Sequence, residues 1–333
     1  MRVLGIDIGG AHIKTALVGS NGGVEAFSWP FELWKYPLEL TNQLRRILQE
    51  IGPVDGIGAT MTGELCDCYE SKAIGLTAIV DALTEAGEGT MPRWWSTEGR
   101  FVGSKKAKEN PLAVASGNWS AGAHWLGRNF PDDRILWMDI GSTTIDLIPI
   151  QNGIPINRGM TDPQRLLSHE LIYAGVRRTP VSALMGLTGT TEYFASTDDL
   201  FGLLGQVGEF PEDFNTADGK PRTNQARMLR LARMLGGDLT TSTHEDLFDL
   251  AGRLRKVMVD RIVEGIEVIS ARMAGPFSRV VVSGSGEFLA RQIQSNHWGD
   301  RIPCVGMAEW MGVPASTAFP AVAVAKLFEI PVC

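Results

Sequence analysis

The sequence is poor in the residues that build metal or disulfide scaffolds. Its 333 residues hold four cysteines, Cys66, Cys68, Cys304 and Cys333, too few for a disulfide framework and in keeping with a reducing compartment. No second Cys or His pair stands at ligand spacing from Cys66-x-Cys68, so buried thiols are expected there rather than half of a zinc site. The five histidines, His12, His124, His169, His244 and His297, are scattered. Basic charge is also scarce: 31 Lys and Arg against 38 Asp and Glu give a net charge of −7. That balance argues against a nucleic-acid partner and against an anionic membrane surface. No apolar run reaches the ~20 residues that span a bilayer. The first residues, Arg2-Val3-Leu4-Gly5-Ile6-Asp7, read as a strand without a charged and apolar leader, so a cytoplasmic protein is expected.

What is present is an ordinary globular composition, 44% hydrophobic and 21% charged, in a chain of a length that makes about two domains. Two strand–turn–strand signatures divide it, at residues 3–18 and 135–150. Each runs apolar, breaks at Asp-Ile-Gly and resumes apolar, a weak internal repeat suited to a duplicated two-domain fold. Between them the pattern predicts an amphipathic helix over 38–51, a buried strand over 56–61, a helix over 71–86 and a loop over 87–99. A strand near 111–114 and a small-residue helix over 118–126 follow. In the second half the pattern gives helices over 163–174, 224–235 and 244–273, a surface loop over 208–223, a strand over 279–283, and helices over 287–295 and 317–330. Strands alternating with helices favour an α/β protein.

Three motifs carry chemistry. In Gly5-Ile6-Asp7-Ile8-Gly9-Gly10-Ala11-His12-Ile13-Lys14, Gly9 and Gly10 let backbone N–H groups approach a phosphate without a Cβ in the way. Asp7 can hold Mg²⁺ through water, since that ion gives up its hydration reluctantly, and Lys14 supplies a point charge. In Asp139-Ile140-Gly141-Ser142-Thr143-Thr144-Ile145-Asp146 the same arrangement returns. Asp139 stands for metal or water, Gly141 allows close approach, and Ser142, Thr143 and Thr144 offer hydroxyls, while Asp146 braces the turn. The third, Val282-Ser283-Gly284-Ser285-Gly286-Glu287, runs a strand into a Gly-x-Gly turn and a helix start, where Gly284 and Gly286 would bring N–H groups to a ligand.

These motifs, in this order, resemble the actin-like ATPase superfamily. The resemblance implies an α/β, two-lobed, ribonuclease H-like fold with a phosphate-binding cleft between its domains. Residues 1–130, completed by a C-terminal helix at about 315–333, would form the first lobe. Residues 131–314, with a helical insertion, would form the second. Ala59-Thr60-Met61-Thr62-Gly63-Glu64-Leu65 and Glu170-Leu171-Ile172-Tyr173-Ala174-Gly175-Val176-Arg177-Arg178-Thr179-Pro180 narrow the resemblance to the hydantoinase/oxoprolinase branch. Its small single-chain members are linked to methanofuran and tetrahydromethanopterin C1 metabolism.

The resemblance implies a condensing enzyme that joins an aminomethylfuran diphosphate to a tyramine-type phenol and releases diphosphate. Mg²⁺ would sit on Asp7 and Asp139, and the bound phosphate would belong to the substrate or to ATP. Thr62, Arg177 and Arg178 would bind substrate, the arginines through bidentate contacts. Glu64 or Glu170 would take the phenolic proton. The partner is a phosphorylated small molecule; the sequence itself sets no oligomeric state and leaves a homodimer open. An ATP-dependent amidohydrolase is the main alternative. A sugar kinase is disfavoured, because Ala115-Ser116-Gly117-Asn118 places Ser116 where such kinases carry a catalytic Asp.

Overall fold

Val3-Leu4-Gly5-Ile6-Asp7-Ile8 is apolar at all but one position, as a strand covered on both faces must be. A computed structural model, describing residues 1–328, places it at the centre of a sheet as β1 (Val3–Ile8), buried along its whole length. Cys333 and residues 329–333 of the expected closing helix lie outside the described residues. Five more strands complete this sheet: β2 (His12–Val18), β3 (Val24–Pro30), β4 (Gly56–Met61), β5 (Arg93–Trp95) and β6 (Phe101–Gly103), in the order β3-β2-β1-β4-β5-β6. A second sheet repeats the logic with β7 (Arg134–Ile140), β8 (Ile145–Gln151), β9 (Ile154–Pro155), β10 (Leu171–Ile172), β11 (Arg279–Ser283) and β12 (Cys304–Gly306). Its order is β10-β8-β7-β11-β12, with β9 on β8.

In each sheet the hairpin strand pairs antiparallel to the central one, and the next strand inward is parallel: β4 on β1, and β11 on β7. The chain is thus an α/β protein of two similar sheets. The strand-end turns of β1 and β7 are the matching positions in the two halves.

The helices Asn118–Asn129 and Phe319–Phe328 pack on each other, and the latter covers β1, β2 and β4. Small residues make this possible. A Cβ on Gly5 would fall on the Ala321 carbonyl, and one on Gly58 would stand 3.1 Å from the Val324 carbonyl. The helix His244–Ser270 starts at a capping box between Thr243 and Asp246 and buries Leu247, Leu250, Leu254, Met258, Ile262, Ile266 and Ile269. Each buried leucine or isoleucine of such a row contributes about 1.5–3 kcal/mol.

Three expectations fail locally. The loop expected over 87–99 contains β5, whose Trp94 and Trp95 are buried core residues. The strand expected near 111–114 is the 3-10 turn Pro111–Ala113, because Pro111 fits a helix start. The helix expected over 163–174 stops at Leu167, where the left-handed His169 (φ 62°) turns the chain so that Leu171 and Ile172 can pair with β8. Among the described residues no helix is long and apolar enough to cross a membrane.

Candidate functional site

The two strand-end turns are built alike. Gly9 N donates to His12 O at 3.0 Å and Gly141 N donates to Thr144 O at 2.9 Å, so each hairpin is closed by one hydrogen bond across its mouth. The amides of Gly10, Ala11, Ser142 and Thr143 donate to no protein acceptor among the described residues. Such unpaired, half-exposed N–H groups at a turn are a concave donor set for an anion. Neither Gly9 nor Gly10 has a positive φ. They are required by close approach: a Cβ on Gly10 would sit 2.7 Å from Cys66 Sγ, and one on Gly9 would sit 2.9 Å from His12 O.

Register then sets the charges. Asp7 lies opposite Lys14, and Asp139 opposite Asp146. Asp146 is held by Arg165, which donates to its Oδ1 at 2.6 Å and stacks 4.5 Å over the Trp119 ring. Burial raises the carboxyl of Asp7, and Lys14 opposes this. Burial and then Asp146 push Asp139 up to about 7, against the hydrogen bond from Ser283 and the charge of Lys14. Burial also raises Asp146, against Arg165. Lys14 is the cation whose field all three acids share. His12 is driven down to about 4 by burial and by Lys14, Arg177 and Arg178, so it is neutral at pH 7.

A magnesium ion fits this donor set. Asp7 Oδ1 is buried with no hydrogen-bond partner, an expensive state for a carboxylate unless a cation or water completes it. Two carboxylates with water and phosphate oxygens suit Mg²⁺. No group of three or more ligating side chains converges among the described residues, so an all-protein metal cage does not.

Three expected site assignments are corrected. Gly284 (φ 93°) and Gly286 spend their amides inside the fold, on Ser316 O at 3.1 Å and Ile140 O at 2.8 Å. The turn instead packs on the Asp139 strand end, with room for Gly284 only because a Cβ there would stand 2.8 Å from Asp139 Oδ1. Exposed Ser285 is the residue this turn presents. Glu170, proposed above as a base, is fully buried and spent. It accepts from Arg158 N (2.7 Å), Gly159 N (2.9 Å), Ser168 Oγ (2.7 Å) and Arg272. Arg177 pairs through one guanidinium nitrogen with Asp213 at 2.7 Å and lines the cavity beside the first turn. Arg178 lies 4.6 Å over the Trp34 ring, a contact between the two halves of the chain.

Glu64 is different. It is fully buried, yet only Oε1 is engaged, accepting from Ser116 Oγ at 2.8 Å with Lys72 Nζ at 3.9 Å, while Oε2 has no partner. Burial raises its carboxyl, against Ser116 and Lys72 and with Asp162. Ser116 holds φ 50°, a left-handed conformation that costs a non-glycine residue on the order of 1 kcal/mol and clusters at functional sites. Thr62, two residues from Glu64, is exposed beside the first turn, and its amide and that of Gly63 both donate to Ile8 O at 3.0 Å. Next to the turn opens a cavity of about 1050 Å³. It is lined by Pro30, Phe31, Glu32, Lys35 and Tyr36 from one segment and residues 209–216 from another, with Ala11, His12 and Arg177. Residues 208–223 form the expected surface loop, and 209–216 of it also line this cavity.

Lys72, Arg165 and Asp162 escaped the sequence reading. Nothing in their local spacing marks them, because their partners lie far away in the chain. His12 stood inside a motif already singled out.

Comparison with known proteins gives a consistent picture. A profile of the hydantoinase/oxoprolinase family matches residues 55–329. A Methanocaldococcus jannaschii protein is 33% identical over 339 aligned residues, covering 99% of this chain and 98% of that protein. It bears the name (4-{4-[2-(gamma-L-glutamylamino)ethyl]phenoxymethyl}furan-2-yl)methanamine synthase. A Methanococcus vannielii protein of the same name is 29% identical over 216 residues, covering 62% of this chain and 96% of its own. Among solved structures, nucleotide-free acetone carboxylase (TM-score 0.54, 13% identity, 98% of this chain and 70% of that one) has a similar fold. So does a ROK family glucokinase from Streptomyces griseus with glucose and AMPPNP (TM-score 0.52, 13% identity, 98% and 99%). The fold is thus that of the actin-like ATPases and sugar kinases.

Proposed function

Because the chain belongs to the hydantoinase/oxoprolinase family, we propose that it is a synthase of furan-cofactor assembly, one that condenses an aminomethylfuran diphosphate with a tyramine-type phenol. The observation that carries the reading is the end-to-end likeness to the M. jannaschii synthase, whose name describes a phenoxymethyl ether on a furan methanamine. The site supplies the chemistry such an ether needs. The diphosphate lies against the free amides of Gly10, Ala11, Ser142 and Thr143, the hydroxyls of Ser142, Thr143 and Thr144, and Lys14. Asp7 and Asp139 would hold Mg²⁺, which would supply charge neutralisation for a departing diphosphate.

The furfuryl C–O bond breaks with its electron pair going to diphosphate. The phenol oxygen forms the new C–O bond, and its proton passes to Glu64. Preorganised donors aimed at the departing charge are the largest lever available to such a site. Orientation of the two aromatic groups supplies much of the rest. The cavity walled by Phe31, Tyr36, Phe210 and Phe214 offers flat apolar faces for them.

The test is incubation of the purified protein with Mg²⁺, a synthetic aminomethylfuran diphosphate and γ-glutamyltyramine, read by mass spectrometry for the ether and by release of diphosphate. A thermal-shift titration runs beside it, since ligands selective for the native state raise Tm. Ether formation with stabilisation by diphosphate is the expected result. Stabilisation by ATP alone, with no ether, would overturn the reading in favour of an ATP-dependent amidohydrolase.

A further inference from the structure

Ser116 Oγ has one proton and two carboxylates within reach: Glu64 Oε1 at 2.8 Å and Asp162 Oδ2 at 3.0 Å. Lys72 Nζ is likewise shared, 2.6 Å from Asp162 Oδ2 and 3.9 Å from Glu64 Oε1. Glu64, Lys72 and Ser116 belong to the half of the chain built on the first sheet. Asp162 lies between β9 and β10 of the second. The bridge therefore exists only when the two halves are together, and it ends on a buried carboxylate with a free oxygen.

We propose that Asp162, Lys72 and Ser116 form a closure-dependent relay that readies Glu64 to take a proton when the two lobes meet. The electrostatic reasoning is direct. With the lobes apart, the ammonium of Lys72 and the hydroxyl of Ser116 serve Glu64 alone and stabilise its anion, leaving a poor base. Closure brings Asp162, which takes the closer ion pair with Lys72 and competes for the Ser116 proton. Glu64 then holds a proton more strongly at the moment substrate is enclosed. The groups whose charge or hydrogen bonds bear on it are Lys72 from the start of the helix Lys72–Ala86, Ser116 from the strained turn and Asp162 from the second half, with Cys66 from its own loop and Tyr173 after β10 in weaker electrostatic reach. Gly75 lets the Lys72–Ala86 helix sit directly against the Glu64 carbonyl.

The relay rests on the reading of Glu64 as proton acceptor, and its test separates the two. Carboxyl-¹³C glutamate labelling of the full chain gives the titration of Glu64, its resonance identified by loss in Glu64→Gln. In Asp162→Asn the Glu64 midpoint should move to lower pH. In Lys72→Met and Ser116→Ala it should move to higher pH. The acid limb of kcat/KM should follow in the same directions, and Glu64→Gln should lose about 10²–10⁴-fold in kcat. General disruption of the site would move all three variants one way, so opposite signs are the signature. An unmoved midpoint in folded Asp162→Asn overturns the relay and leaves the proton-acceptor role standing. An active Glu64→Gln overturns that role, and with it the purpose of the relay, whatever the titration shows.

Discussion

Asp139 shows how one buried residue can set the terms for ligand binding. Its carboxyl titrates near 7 in the fold, against about 3.9 when exposed. Its folded value is raised, so the associated stability is present below pH 4 and is lost as pH rises through about 7. Asp139 should therefore make the ligand-free protein less stable to urea at pH 8 than at pH 5, by on the order of a few kcal/mol, while His12, depressed to about 4, works in the opposite direction over the same range. Asp139→Asn should flatten that slope and be the more stable protein at pH 8. The same substitution should abolish stabilisation by Mg²⁺ with diphosphate, because a metal binds the ionised carboxylate and displaces its proton. An unchanged slope in Asp139→Asn would mean that Asp7 or Asp146 carries the titration. His12, neutral and partly buried beside Lys14, adds no charge to the site at pH 7.

The second hairpin depends on a knot that its sequence barely announces. Arg165, 2% exposed, donates to Asp146 Oδ1 and to the Glu170 carbonyl, while the Glu170 side chain is fastened by Arg158, Gly159, Ser168 and Arg272. Removing Arg165 as Arg165→Met would leave Asp146 buried and unpaired, a loss of about 3–5 kcal/mol. Adding Asp146→Asn should restore part of it. Urea denaturation of the two variants checks this, and equal stability of Arg165→Met and the native protein would make the knot ornamental. The two hairpins themselves were legible because a continuous apolar run broken at Asp-Ile-Gly is a local signal, and its repetition tied them together. Residues 163–174 were not. Their composition suits a helix, and only pairing of Leu171 and Ile172 with β8, distant in sequence, takes the chain out of it. Glu170 was misread for the same reason, since its partners Arg158 and Arg272 are invisible to spacing. Gly284 and Gly286 were read as ligand donors because the motif shows where glycines stand and not where their amides go.

At the scale of the molecule, the cleft is held by contacts that cross it. Arg178 stacks on Trp34 at 4.6 Å, and Asn215 reaches Glu32 at 3.5 Å along the mouth of the cavity. Both crossings join residues 30–36 to segments that follow the second turn, so they are placed to govern how firmly the walls close on a substrate rather than the bond-making step. A cation–π contact of this kind is worth about 0.5–2 kcal/mol, which corresponds to roughly a 2- to 30-fold change in an equilibrium. Trp34→Ala should accordingly raise KM by about that factor with a smaller effect on kcat. Arg178→Ala should do the same, and the double variant should cost less than the sum, because each single change already removes the shared contact. Additive losses would mean that Trp34 and Arg178 act on the substrate separately. A fall in kcat with KM unchanged would move them from holding the cleft to the chemistry within it.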